Sequence, residues 1–116
     1  MSGPDTLNID VSTADGSVVV KLRGSASMEN CEQLNSALLE ACESKPNLLV
    51  VDLALLDFVC SLGLGGLVTV HVYMQKYGGR FALASPNKAI REMLEVTKLD
   101  SLLAIYDTPD EALGSV

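Results

Sequence analysis

The chain has 116 residues, of which 48% are hydrophobic and 20% are charged, a make-up typical of a globular domain and not of a disordered segment. Eight Lys and Arg stand against fifteen Asp and Glu, which gives a formal net charge of −7. Because an acidic surface repels phosphate backbones and anionic lipid headgroups, the balance argues against nucleic acid or a membrane surface as a partner.

A β-hairpin is predicted at the start of the chain. Residues 7–11 alternate apolar and polar side chains, as in a half-buried strand. The Ala-Asp-Gly sequence at 14–16 supplies turn residues, and SVVVKLR at 17–23 predicts the second strand.

A helix and a buried strand follow the hairpin. Ser27 is expected to be the N-cap of a helix whose apolar residues recur at helical spacing as far as Cys42. Lys-Pro-Asn at 45–47 ends that helix. The apolar run LLVVDL at 48–53 predicts a central strand that is buried on both faces.

A long uncharged segment comes next. The 18 residues between Asp57 and Lys76 contain no charged side chain, which is the lower limit for a membrane span. The segment also contains several polar and small residues, so a buried amphipathic helix over about 62–77, closed by two glycines, is the preferred interpretation. Residues 80–84 predict the next strand.

The last third of the chain predicts two helices and a strand. Ser85 is expected to cap a helix that has Pro86 at its first position. Residues 102–106 predict a short strand, and Thr108 and Glu111 have capping-box spacing at the start of a C-terminal helix.

The alternation of these elements indicates the fold class. It predicts an α/β domain over residues 1–116, with a mostly parallel or mixed sheet of about five strands and about four helices. In such sheets, functional residues lie beyond the carboxyl ends of the strands, near a helix N-terminus. The junction at residues 57–63 is therefore the prime candidate for a site.

Enzymatic chemistry has little support in the sequence. The glycines at 63–66 lack the third glycine of a dinucleotide fingerprint, because Val68 stands there, and no Gly-Lys-Ser/Thr triplet is present. His71 is the single histidine, and it falls on the predicted inner side of its helix. No catalytic residue, metal ligand or cofactor is therefore predicted.

The cysteines and the N-terminus indicate a compartment. Cys31, Cys42 and Cys60 form no CxxC pair, and an odd number without a disulfide framework is typical of free thiols in a reducing environment. The opening residues have neither a basic nor an apolar region of the kind found in a signal peptide. The expected location is the cytoplasm.

Ser61 is the most informative single residue. It lies where the loop enters the uncharged helix, at or near the N-cap, and capping alone would contribute about 1 kcal/mol. The same geometry suits a phosphate group, because the free N–H groups and the helix dipole stabilise negative charge. The residues themselves leave both roles open.

The helix after Ser61 is predicted to have two unlike faces. Five residues should face the sheet, namely Leu64, Leu67, Val68, His71 and Met74. The opposite face carries one charge and is expected to be Leu62, Gly66, Thr69, Tyr73 and Lys76. An apolar exposed face beside a phosphorylation site would be a docking surface. Cover by a neighbouring element is the alternative.

The sequence resembles the STAS domain of bacterial anti-sigma factor antagonists. The segments VVDLALLDFVCSLGLGGL and GGRFALASPNKAIREMLEVTKLDSLLAIYDTPDEAL fall in family order, including a Leu-x-x-Thr-x-Leu phrase at 94–99. The resemblance covers nearly the whole chain and is strongest over residues 48–113. It implies a non-enzymatic switch protein that binds an anti-sigma factor with serine kinase activity. The implied reversal of phosphorylation is by a PP2C-type phosphatase.

The resemblance also implies the site residues. Aligned on the Gly-Leu-Gly sequence, the family's phosphorylated serine falls on Ser61. The expected docking face is Leu62, Gly66, Thr69 and Tyr73, with Ser25 and Ser27 at its edge, and Cys60 is a further partner-binding residue.

Two departures from the family pattern leave alternatives open. Cys60 and Leu62 stand where the family has Asp and Ser or Thr, and Gly-Ser-Ala-Ser at 24–27 replaces an acidic phrase that helps to contact the kinase. A STAS subunit that braces the ATPase of a lipid-trafficking membrane transporter would need no phosphorylation. A sensor based on Cys60 is the third hypothesis, and no resolving cysteine is evident in the sequence.

Overall fold

The computed structural model describes residues 6–114, which form one five-stranded sheet and four α-helices. The strands are β1 (Leu7–Ala14), β2 (Ser17–Ala26), β3 (Leu48–Val59), β4 (Arg80–Ala84) and β5 (Ala104–Tyr106). The helices are α1 (Cys31–Cys42), α2 (Ser61–Gln75), α3 (Lys88–Val96) and α4 (Pro109–Gly114), with a short 3-10 helix at Leu99–Ser101. The predicted order of strands and helices is confirmed.

The sheet is mixed, as predicted. Its strand order is β1-β2-β3-β4-β5, in which β1 is antiparallel to β2 and the remaining neighbours are parallel. The parallel strands β2 to β5 follow one another across the sheet in chain order. Because each crossover between them is right-handed, α1, α2 and α3 all lie on one face of the sheet. The larger core lies between that face and the three helices, and it includes Leu38, Leu67 and Leu94. A smaller core on the other face contains Val50 and Ala112 of α4.

The β1–β2 turn follows from its sequence. Asp15 and Gly16 both have positive φ angles, 52° and 83°, and Ala14 pairs with Ser17 across the turn. A two-residue hairpin loop of this kind matches the twist of the strands, and an Asp-Gly pair adopts positive φ angles readily. The predicted hairpin is therefore confirmed.

Two predicted helix caps are wrong. Helix α1 begins after Asn30 and not after Ser27. Helix α3 begins after Asn87, whose side chain accepts a hydrogen bond from the Ile90 backbone at 2.8 Å, whereas Ser85 has a φ of 57° and lies before the helix. Asn87 also donates to the Leu56 carbonyl at 3.1 Å, so a contact from another part of the chain fixes this cap.

Strand β3 is longer than the predicted 48–53. It continues to Val59 because β2 extends beside it, with Ser25 opposite Phe58 and Ala26 opposite Val59. β4 pairs with β3 only as far as Asp52, so the last residues of β3 project beyond it at the carboxyl edge of the sheet. Among residues 6–114, no helix has the length and apolar character needed to cross a membrane.

Candidate functional site

Ser61 lies at the carboxyl edge of the sheet, where β3 turns into α2. It is the first residue of the helix and is exposed. Cys60 is the N-cap residue, with extended backbone, and its side chain makes no capping hydrogen bond within the part of the chain described. The first turn of α2 carries no acidic residue. The N–H groups at this helix end are thus available to an added negative charge on Ser61.

The loop between β2 and α1 lies directly beside this helix end. The Cys60 N–H donates to the Ala26 carbonyl at 2.8 Å. Asn30 holds the loop in shape, since its side chain accepts from the Ser27 N–H at 2.8 Å and donates to the Ser25 carbonyl at 3.0 Å. The structure therefore brings Ser25 and Ser27 close to Cys60.

Four of the five residues predicted for the outer face of α2 are exposed. Leu62 is 52% exposed and Tyr73 is 37% exposed. Thr69 and Lys76 are also exposed, and the Thr69 hydroxyl donates to the Gly65 carbonyl at 3.0 Å. These side chains lie on one side of the helix, and no other part of the described chain covers them fully.

Three predicted members of the site are not on this surface. Gly66 is buried against α1, and a Cβ atom built on it would overlap the side-chain oxygen of Asn35. Cys60 is 6% exposed, and the Ser27 hydroxyl oxygen is buried. The predicted inner face is also rotated, because Val70 is buried while His71 is half-buried. The contact of α2 with α1, which periodicity does not reveal, is the reason.

Sequence reasoning missed part of the exposed apolar surface. Met28 is 62% exposed and Phe58 is 46% exposed, and both lie at the same sheet edge as Leu62. We call Met28, Phe58 and Leu62 the apical patch. Ending β3 at residue 53 concealed this feature, because Phe58 then lay in a loop. Strict alternation would not have revealed it either, because irregularities in the pairing with β2 break the period of two, so that Leu56 and Val59 are both buried and the two residues between them are exposed.

A shallow groove continues from the outer face of α2 toward α1. It has a volume of 340 Å³, and six residues line it: Leu39, Val68, Thr69, Val72, Tyr73 and Lys76. Leu39 and Val72 are each 43% exposed, so the groove adds apolar surface to the predicted docking face. Leu62 and the groove thus lie on the same exposed side of α2.

The thiols near Ser61 are buried. Cys31, Cys42 and Cys60 are all free cysteines, and the Cys31 thiol donates to the Met28 carbonyl at 3.6 Å. Burial is the main reason why the pKa of Cys31 is raised, and the Cys60 thiol adds to the increase. Within residues 6–114, no group of three or more His, Cys, Asp or Glu side chains is arranged to hold a metal ion.

Comparisons with known proteins agree with this architecture. The family model for the STAS domain matches residues 8–112. The anti-sigma-F factor antagonist RsfB of Mycobacterium tuberculosis is 26% identical over 118 residues, covering 100% of this chain and 94% of that protein. The crystal structure of an anti-sigma factor antagonist from Mycobacterium paratuberculosis superposes with a TM-score of 0.91 and 31% identity, covering 100% of this chain and 98% of that chain.

A shorter match involves a Thermotoga neapolitana protein named as a homologue of the anti-sigma factor antagonist TM1081. It is 37% identical over 70 residues, which is 60% of this chain and 62% of that protein. This chain therefore covers less than two thirds of that relative's length. The family-model match extends from β1 to α4, and it includes the junction that carries Ser61. The chain belongs to the STAS domain family.

Proposed function

We propose that this protein is an anti-sigma factor antagonist, which binds an anti-sigma factor with serine kinase activity and is switched by phosphorylation of Ser61. The observation that carries the proposal is the position of Ser61: exposed, first in α2, and next to the exposed apolar side chain of Leu62. The names of its relatives support the same role. In this proposal a PP2C-type phosphatase restores the unmodified form in the cytoplasm.

The energetics of the switch are modest. A phosphoserine carries a charge of about −1.5 to −2, and at the first helical position the free N–H groups of α2 stabilise it without refolding. The charge of this phosphate would also lie against any partner surface that packs on the apical patch. A tenfold loss of affinity needs only about 1.4 kcal/mol, which desolvation of a phosphate at an apolar contact readily supplies.

The partner must tolerate two departures at this edge. Cys60 is buried beneath the surface, and the Gly-Ser-Ala-Ser segment at 24–27, where β2 ends, offers no carboxylate. The exposed side chains that a partner could contact here are instead apolar, namely Met28, Phe58 and Leu62. We infer that recognition depends chiefly on apolar burial, with Tyr73 and Thr69 extending the contact along α2.

The test compares charge at Ser61 with the same charge elsewhere. Ser61→Asp should weaken binding to the anti-sigma factor by tenfold or more, while Ser61→Ala retains binding but accepts no phosphate in intact-mass analysis. Ser101→Asp is the control, because Ser101 is exposed at the opposite edge of the sheet, just before β5. Undiminished binding by Ser61→Asp would refute the switch.

The transporter hypothesis is distinguished by the same samples. If incubation of the protein with host lysate and ATP adds no phosphate, and a transporter ATPase co-purifies, the bracing role is supported. A phosphate gain that Ser61→Ala abolishes supports the antagonist.

A further inference from the structure

The groove between α1 and α2 has the shape that a third helix fills. The two helices run in parallel, because their contacts advance together along the chain. Near the start of both helices, a Cβ atom on Gly63 would lie 3.7 Å from the Leu34 side chain. Further along both, Leu39 of α1 and Val72 of α2 line the groove together. Two parallel helices leave a furrow between them into which the side-chain ridge of another helix packs.

The wall of the groove on the α2 side is held in place by the chain itself. The rings of Tyr73 and Tyr77 meet edge to face, with centroids 5.9 Å apart, and the Tyr77 hydroxyl donates to the Pro46 carbonyl at 2.9 Å. The Thr69 hydroxyl donates to the Gly65 carbonyl, so it needs no partner in the groove. A wall that is already ordered loses little side-chain freedom when a partner binds.

The charges at the groove are uneven. Lys76 is the one charged residue among the six that line it, and within residues 6–114 its ammonium group forms no ion pair. A second cation lies nearby, since the Lys45 Nζ atom is 5.9 Å from the centre of the Tyr77 ring. Glu43, the C-cap of α1, stands at the same end but does not line the groove. Residues 61–75 contain no Asp, Glu, Lys or Arg, so the groove is apolar with a basic end.

We propose that the groove binds an amphipathic helix of the anti-sigma factor, whose apolar side chains pack between Leu39 and Val72 and whose carboxylate pairs with Lys76. Helices of this kind present apolar residues at i, i+3 and i+4 spacing to an apolar groove. Thr69 and Lys76 are about 10 Å apart along the axis of α2, so two turns of the partner helix span the groove. The helix is assigned to the anti-sigma factor because of the proposed function, on which this inference rests.

The apolar contact is tested by titrating the full-length protein with the anti-sigma factor. Val72→Asp should weaken binding by about tenfold or more, because the new carboxylate would be desolvated in the groove and would repel the carboxylate of the partner. Val96→Asp is the matched control, since it makes the same exchange at an exposed residue of α3 and should bind normally. Urea unfolding of both variants checks that each is folded.

The ionic contact is tested by reversing the charge at the basic end. Lys76→Glu should weaken binding by about tenfold at low salt, and the loss should shrink near 1 M salt, where the screening length is about 3 Å. Lys98→Glu, at an exposed residue beyond α3, should bind normally. Glu43→Gln should bind at least as tightly as the wild type, because it removes a negative charge from the end that receives the carboxylate.

A cross-link identifies what lies in the groove. Val72→Cys adds an exposed thiol, whereas the three native cysteines are buried, so a photoreactive maleimide labels position 72 selectively. After irradiation of the complex, mass spectrometry of the linked peptides should identify a helical segment of the anti-sigma factor that carries a carboxylate within two turns of its apolar residues.

Several results would overturn the inference: normal binding by Val72→Asp or Lys76→Glu, equal losses in the control variants, or a cross-link to a basic segment, a loop or a second copy of this chain. The proposed function fails separately. If the groove variants bind normally while Ser61→Asp loses binding, the switch stands and this inference fails. If Ser61→Asp binds normally while the groove variants lose binding, the switch fails and the groove contact stands.

Discussion

Adding one methyl group to α2 should have opposite effects at two adjacent glycines. Gly65 is exposed, and a Cβ atom there would meet nothing within 4 Å. At Gly66 the same atom would overlap the Asn35 side-chain oxygen and stand 2.5 Å from its Cγ. Neither glycine has a positive φ angle, so both substitutions keep the helical backbone. The comparison thus isolates the contact between α1 and α2.

The expected magnitudes follow from this geometry. Replacing a helix-interior glycine with alanine stabilises by about 0.5–1 kcal/mol, which Gly65→Ala should gain in full. Gly66→Ala gains the same amount but forces overpacking, at a cost of about 1–3 kcal/mol. We expect a net destabilisation of about 1 kcal/mol. The Asn35 Oδ1 atom is buried without a hydrogen-bond partner in the described chain, so removing this side chain should relieve the overlap cheaply.

Urea unfolding followed by far-UV circular dichroism measures these free energies, since the chain has no tryptophan to report by fluorescence. The set comprises the wild type, the two alanine variants, Asn35→Ala and the Gly66→Ala/Asn35→Ala double variant. The double variant should recover about 1–2 kcal/mol relative to additive single changes. If Gly66→Ala is as stable as Gly65→Ala, or if loss of Asn35 gives no recovery, the close contact between α1 and α2 is wrong.

Three further outcomes are expected. Asn87→Ala should destabilise the protein by about 1–2 kcal/mol in urea unfolding, because it removes the cap of α3. Ser85→Ala removes only an exposed hydrogen bond and should change stability by less than about 0.5 kcal/mol. Equal effects of the two substitutions would contradict the cap assignment. Leu62→Ala should weaken anti-sigma factor binding by tenfold or more in a binding titration. The control is Val96→Ala, at an 82% exposed residue of α3, which should bind normally. A loss of binding with both variants would argue against the apical patch as the contact surface. Burial raises the pKa of Cys42 above its ordinary 9.0, so this thiol ionises at lower pH in the unfolded state than in the folded state. The stability that the thiol contributes is complete below pH 9.0 and falls as the pH rises further, by up to about 1.4 kcal/mol per pH unit. Cys42→Ala should flatten that fall when urea unfolding is measured across this pH range, and a flat wild-type profile would contradict the prediction.

Local patterns in the sequence determined the elements and their order. The Asp-Gly turn, the alternation in β1 and β2 and the apolar run of β3 are each set by neighbouring residues, because strand period and turn chemistry depend on backbone geometry alone. The start of α2 at Ser61 belongs to the same class. With strands and helices in alternation, right-handed crossovers then leave few topologies, which explains why the mixed five-stranded sheet was predictable.

The tertiary structure alone decided which surfaces are free. Helix α2 is apolar on nearly every side, so its period does not distinguish the face that α1 covers from the face left open. Gly66 is therefore buried although the sequence placed it outward. The capping of α3 by Asn87, whose side chain also donates to the Leu56 carbonyl, likewise joins segments distant in the chain. Burial is a property of the packed neighbours, and no pattern within one segment contains it.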